Sequence, residues 1–279
     1  MIGKTIILQD SFPTLSSLSS PTELIPYCRE PLRHLKPRRF PALIVCPGGG
    51  YGGLADREGE PIALAMLAQG IQCFVLRYHT APTRYPTQLT EVAAAVCYIR
   101  EHAEEYSVDP DRIFVIGFSA GGHLAGSYAT HWHDIRLDQT LACNKEMLRP
   151  NGAVLCYGVL SGMDYTHDGS MQNLLGDQDS PEMRKFLSFE HNVTAETPPI
   201  FLFHTVSDQA APVENSLLAA QALAAQKIPF EMHIYPEGLH GLALANKITD
   251  FDDWHPAAKA AARWIEDCAD WMLRPKEIC

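Results

Sequence analysis

The chain has 279 residues, 46% of them hydrophobic and 20% charged, and a formal net charge of −11. That composition describes a folded globular protein rather than a disordered one, at a length one doubly wound sheet can occupy. The negative balance argues against nucleic acid and against anionic membrane surfaces, both of which call for clustered basic charge.

From the N-terminus, residues 5–8 form the first apolar run, with no longer hydrophobic region or small-residue cleavage site behind it. No secretory signal is expected, nor any membrane span, since no stretch approaches about 18 unbroken apolar residues. A cytoplasmic location follows as the expectation. The eight cysteines include no CxxC pair, and several, such as Cys46 and Cys156, sit inside apolar runs. They read as free thiols of a reducing compartment. Residues 10–41 are rich in Ser and Pro and end in a basic patch, 33–39, read as a solvated lead-in to the next element rather than an anion site.

Five nearly continuous apolar runs come next: 42–46, 73–76, 113–118, 153–156 and 200–203. Strands of a parallel sheet, buried on both faces, have this pattern. A sixth run, 230–235, alternates and is expected nearer a sheet edge. Between the runs lie helices. Leu89, Val92, Val96, Ile99 and Ala103 recur at helical spacing after Pro86 and Thr87. Ala257, Ala261, Trp264, Ile265, Cys268, Trp271 and Met272 make a second stripe, opposite Lys259, Arg263, Glu266, Asp267 and Asp270. Alternation of strand and helix predicts an α/β fold, a mostly parallel doubly wound sheet within a single domain over 1–279. Residues 161–198 lack clean periodicity and are too long for an ordinary connection, so they read as a small cap-like insertion.

Gly117-Phe118-Ser119-Ala120-Gly121 matches G-x-S-x-G. The five letters are weak alone, but they follow the strand-like run 112–116 and precede a helix-compatible segment, 122–130. A nucleophile elbow requires that setting: a serine at the tip of a tight turn tolerates no bulky neighbours, and the helix behind it aims N–H groups at a developing oxyanion. After the run 42–46 comes Pro47-Gly48-Gly49-Gly50-Tyr51-Gly52-Gly53. Its backbone N–H groups suit an oxyanion hole, for which Gly49 and Gly50 are the candidates together with Ala120. A phosphate loop is the rival reading, and it fails for want of a Lys-Ser/Thr end.

In chain order an acid and then a base should follow such a serine. Asp208 stands just past the run 200–203, and His240 lies in the loop after 230–235, flanked by Gly238 and Gly241. Among the other histidines, His123 is expected to face away from Ser119, and His204 and His233 to be packed within strands. His131 and His133, spaced i, i+2 on a helix, point apart and make no metal site. Glu237 is too near His240 to be the acid. No metal or cofactor is expected.

These motifs together resemble a known family. Pro47-Gly48-Gly49-Gly50-Tyr51, Arg57-Glu58-Gly59-Glu60, Gly117 to His123, Pro198-Pro199, His204-Thr205 with Asp208, Asn215-Ser216, and Tyr235-Pro236 through His240-Gly241 occur in its order. The chain is similar over roughly 40–272 to bacterial α/β-hydrolase esterases called acetyl xylan esterases or xylanase-B-like esterases. It is more distantly similar to kynurenine formamidases and hormone-sensitive-lipase-like esterases. The resemblance implies the α/β-hydrolase fold and removal of short acyl groups, above all acetyl, from small esters such as acetylated xylo-oligosaccharides. It also implies Ser119, Asp208 and His240 as nucleophile, acid and base. Pro47 stands where lipase-like relatives have His, so that part of their oxyanion architecture does not carry over. Formamidase, general short-chain esterase, idle binding module and peptidase are the alternatives, and self-association into a homo-oligomer is compatible with all of them. Tyr51 is a candidate substrate contact, with Met163, Tyr165 and Phe186 as further candidates for the pocket lining.

Overall fold

A computed structural model describes residues 3–30, 38–249 and 256–274. The basic patch therefore lies outside the described residues apart from Arg38 and Arg39. Eight strands form one sheet: β1 (Ile6–Ile7), β2 (Glu23–Tyr27), β3 (Phe40–Cys46), β4 (Gln72–Arg77), β5 (Val108–Phe118), β6 (Gly152–Cys156), β7 (Ile200–Thr205) and β8 (Phe230–Tyr235). Their order is β1-β2-β4-β3-β5-β6-β7-β8. From β4 to β8 every pairing is parallel, and β8, whose pattern alternates, takes the edge. The two N-terminal strands pair antiparallel, Leu24 opposite Leu76. The helices are α1 (Glu60–Ala68), α2 (Thr87–Glu101), α3 (Ala120–His131), α4 (Ile135–Leu141), α5 (Asp168–Leu175), α6 (Pro181–Phe186), α7 (Phe189–Asn192), α8 (Glu214–Ala225) and α9 (Trp264–Leu273).

The continuous apolar runs are explained by two cores, one on each face of the sheet. Successive strand residues point to opposite faces. Ala42, Ile44, Val115, Leu155 and Leu202 pack with α2, α3 and α8, while Leu43, Val45, Ile116, Val154 and Phe203 pack with α1 and α9. In the C-terminal stripe, Ala261, Trp264, Cys268, Trp271 and Met272 are buried as expected, though residues Pro256–Arg263 form a 3-10 helix before α9 begins. The side chain of Ala257 lies outside the described residues.

The segment 161–198 folds as α5, α6 and α7 between β6 and β7. Among the described residues, Cys46, Cys73, Cys97, Cys143, Cys156 and Cys268 are free thiols. No helix among those residues is long and apolar enough to cross a membrane.

Candidate active site

In a parallel sheet the loops leaving the carboxyl ends of the strands meet at one edge. The register decides which loops meet here. Cys46 is opposite Gly117 and Phe118 is opposite Cys156, so the glycine loop after β3 lies beside the turn after β5. Thr205 is opposite Tyr235, which brings the loop carrying Asp208 beside the loop carrying His240.

Ser119 sits between β5 and α3 with φ 55° and ψ −118°. A non-glycine residue held at positive φ is strained and must be fixed by its surroundings. Its N–H donates to Cys156 O at 3.0 Å, and its carbonyl accepts from His123 N at 3.0 Å and Val159 N at 3.2 Å. The flanking glycines are required by contact. A Cβ on Gly117 would lie 1.8 Å from Gly121 O, and one on Gly121 would lie 2.1 Å from Cys46 O.

His240 Nε2 lies 2.7 Å from Ser119 Oγ, and His240 Nδ1 lies 2.8 Å from Asp208 Oδ2. An ionised carboxylate only accepts, so Nδ1 carries the proton toward Asp208 and Nε2 is left to accept from the serine hydroxyl. Asp208 Oδ1 accepts the N–H groups of Ala210 and Ala211 at 2.9 and 3.0 Å. His204 stands behind it, with Nε2 2.8 Å from Ala211 O and 3.5 Å from Asp208 Oδ2. Burial pushes the Asp208 carboxyl up, but hydrogen bonds from His204 and His240 and the attraction of His240 more than offset this. The group is held well below the usual carboxylate range. The two loops are also pinned to each other: Thr205 Oγ1 donates to Gly238 O at 2.8 Å, and Gly238 N–H donates to Ser207 Oγ at 2.8 Å.

A cleft of about 390 Å³ opens over Ser119 and His240 and includes Gly49 and Gly50 in its wall. The N–H groups of Gly49, Gly50 and Ala120 meet no acceptor among the described residues. The glycine loop is wound tightly, since Gly49 has φ 127° and its carbonyl accepts from Gly52 N and Gly53 N. From the 161–198 segment, His167, Gly169 and Asn173 reach the same cleft. Asn173 Nδ2 donates to Gly50 O at 2.9 Å.

Tyr51 requires a correction. It does not line the cleft; it is 0% exposed, with φ 55°, and its hydroxyl is 2.8 Å from His123 Nδ1. Its ring packs edge-on against Tyr78 and His123 in the core. Met163, Tyr165 and Phe186 are likewise absent from the lining. His123 is buried and bonded to Tyr51, and burial lowers its pKa to about 4. His233 does not pack in the core as expected; it is partly exposed, beside Glu231 and Asp267. No group of three or more His, Cys, Asp or Glu among the described residues could hold a metal ion.

Residues 32–223 match the family BD-FAE. The chain belongs to that family. BD-FAE membership agrees with the α/β-hydrolase architecture seen in similar solved structures. An acetyl ester-xyloside bifunctional hydrolase from Caldicellulosiruptor lactoaceticus is 37% identical, with a TM-score of 0.79 over 95% of this chain and 96% of that one. The carboxylesterase Cest-2923 from Lactobacillus plantarum is 26% identical, with a TM-score of 0.81 over 98% of this chain and 96% of that one. Among sequences, endo-1,4-beta-xylanase B of Butyrivibrio fibrisolvens is 38% identical over 73% of this chain. An acetylxylan esterase of Xylanibacter ruminicola is 27% identical over 85% of it. The chain spans only 33% and 46% of these two relatives' own lengths.

Two residues of this BD-FAE site were not singled out from the sequence. Glu58, 2% exposed, lines the cleft, and Tyr157, φ 36°, sits beneath His240 with the rings 5.4 Å apart. Glu58 belongs to the Arg57-Glu58-Gly59-Glu60 string, which could have signalled it.

Proposed function

We propose that the chain hydrolyses short-chain carboxylic esters through an acyl-enzyme on Ser119, with acetylated xylo-oligosaccharides as its substrate class. The observation that carries this reading is the unbroken chain from Ser119 Oγ through His240 to Asp208, at 2.7 and 2.8 Å, on a strained strand-to-helix turn. His240 Nε2 takes the serine proton as Oγ bonds to the ester carbonyl carbon. The carbonyl oxygen becomes an oxyanion, received by the N–H groups of Gly49, Gly50 and Ala120, the last at the N-terminus of α3. The tetrahedral intermediate collapses, and the proton on Nε2 passes to the departing alcohol. Water, deprotonated by the same nitrogen, then attacks the acyl-serine; the bond from the acyl carbon to Oγ breaks, the proton on Nε2 returns to Oγ, and the carboxylic acid leaves. Asp208 keeps Nδ1 protonated and stabilises the imidazolium formed in each half-reaction.

Acetyl as the acyl group and a xylo-oligosaccharide as the alcohol draw support from the relatives named for acetyl ester, acetylxylan and xyloside hydrolysis. The polar cleft side made by His167 and Asn173 suits a hydroxyl-rich alcohol better than an alkyl one. The experiment is an ester series from acetate to octanoate run beside acetylated xylo-oligosaccharides and N-formylkynurenine. Highest kcat/KM on acetyl esters, with acetate released from the oligosaccharides, is expected. Preference for the formamide or for octanoate would overturn the substrate reading.

A further inference from the structure

The buried acid on the cleft wall, Glu58, links the glycine loop to the turn after β6. It ends a 3-10 turn, Asp56–Glu58, directly after the glycine loop. Its Oε2 accepts the N–H of Gly48 at 2.7 Å. Its Oε1 accepts the hydroxyl of Tyr157 at 2.9 Å. The Tyr157 oxygen in turn accepts the N–H of Ala243, three residues beyond His240, at 2.9 Å. Hydrogen bonds to an ionised acceptor are about twice as strong as neutral ones, which favours a carboxylate for both jobs.

Geometry at either end ties the bridge to the reacting groups. Gly48 is wedged against the serine, for a Cβ there would lie 2.6 Å from Glu58 Oε2 and 2.9 Å from Ser119 Cβ. The peptides that follow Gly48 are those of Gly49 and Gly50. At the other end, the neighbouring Arg57 lies along the His240 loop, since a Cβ on Gly241 would come 2.3 Å from Arg57 Nη2. Burial pushes the Glu58 carboxyl above its ordinary range, opposed by the Gly48 and Tyr157 hydrogen bonds and by the charges of Arg57 and His240.

We infer that Glu58 is a positioning residue which sets the oxyanion donors and the general base together, through Gly48 on one side and Tyr157 and Ala243 on the other. The inference rests on the serine-esterase reading above. Glu58 needs no contact with substrate; a displacement of either loop by a fraction of an ångström is enough to slow the chemical step while leaving ester binding intact. A purely structural role would lower stability without separating kcat from KM.

The test uses the whole chain and p-nitrophenyl acetate, with wild type, Glu58→Gln, Tyr157→Phe and the double variant. Glu58→Gln is expected to lower kcat about 10- to 100-fold with KM changed less than about threefold. Tyr157→Phe should lose less, and should cost less in the Glu58→Gln background than in wild type, because the two act along one chain of bonds. A Glu58→Gln enzyme with kcat within about threefold of wild type, or losses that simply multiply, would overturn the inference alone. A wild-type chain that does not cleave the ester overturns the esterase reading and the inference with it. If Glu58→Gln fails to fold, Tyr157→Phe decides: reduced kcat at constant KM supports the bridge, and unchanged kcat refutes it.

Discussion

Asn173 Nδ2 donates to Gly50 O at 2.9 Å, joining α5 of the 161–198 segment to the glycine loop. A carbonyl held from one side fixes the plane of its peptide, and the peptides of this loop supply the proposed oxyanion donors. Asn173→Ala is expected to lower kcat/KM on p-nitrophenyl acetate about 5- to 10-fold, the worth of one hydrogen bond of about 1 kcal/mol. Asn173→Asp should do worse, because it sets a carboxylate against that carbonyl oxygen. Equal kcat/KM in all three enzymes would show that the insertion does not steady the loop.

Asp208 is buried, accepts two backbone N–H groups and faces two histidines. Replacing it by Asn keeps the shape but offers an amide that can donate toward Nδ1, which then sheds its proton and leaves Nε2 protonated toward Ser119. A drop in kcat of about 10⁴-fold is expected, as triads of this design show. Steady-state kinetics on an active acetyl ester measure it; a drop under about tenfold would mean that Asp208 does not orient His240.

The elbow glycines make a stability prediction. A methyl on Gly121 would meet the backbone oxygens of Cys46 and Pro47 at 2.1 and 2.5 Å, and neither can move without shifting β3. Gly121→Ala should cost about 3 kcal/mol or more in a urea unfolding experiment, at the upper end for overpacking. Gly53→Ala is the control, since nothing lies within 4 Å of its added carbon. It should stay within about 0.5 kcal/mol of wild type.

His79 and Glu91 form an ion pair at 2.5 Å, with Thr22 Oγ1 also donating to Glu91 at 2.7 Å, so the pair fastens the N-terminal segment to α2. The hydrogen bond to Glu91 raises the His79 pKa above its ordinary value, against the opposing effect of burial. A folded-state pKa above the unfolded one gives stability that is fully present below about pH 6.5 and fades as pH rises through the folded value. The melting temperature of wild type should therefore exceed that of His79→Gln by more at pH 6 than at pH 9. A gap that stays constant or widens with pH would contradict the pairing.

What the sequence makes legible here follows the range of each signal. Strands β3 to β7 are buried on both faces, so each announces itself by an apolar run, and the G-x-S-x-G turn is local and dictated by the 1.8 and 2.1 Å approaches at Gly117 and Gly121. Strand β2 escaped notice because it is short, half-buried and contains Pro26, and its existence depends on pairing with β4, some fifty residues on. Tyr51 was misjudged because φ 55° sends its ring into the core, which no spacing rule reports. Glu58 stands in the sequence only as part of the Arg57-Glu58-Gly59-Glu60 string that carries the family resemblance, with no role of its own. Its burial is set by Gly48 and by Tyr157, 99 residues away, and only the folded chain joins them.

The central claim is that Ser119 Oγ is the nucleophile. Its most direct measurement is intact-mass analysis after treatment with a fluorophosphonate, followed by peptide mapping. One adduct per chain is expected, located on Ser119, with none in Ser119→Ala or in protein denatured beforehand. An unlabelled wild type, or an adduct that persists at another residue in Ser119→Ala, would contradict it.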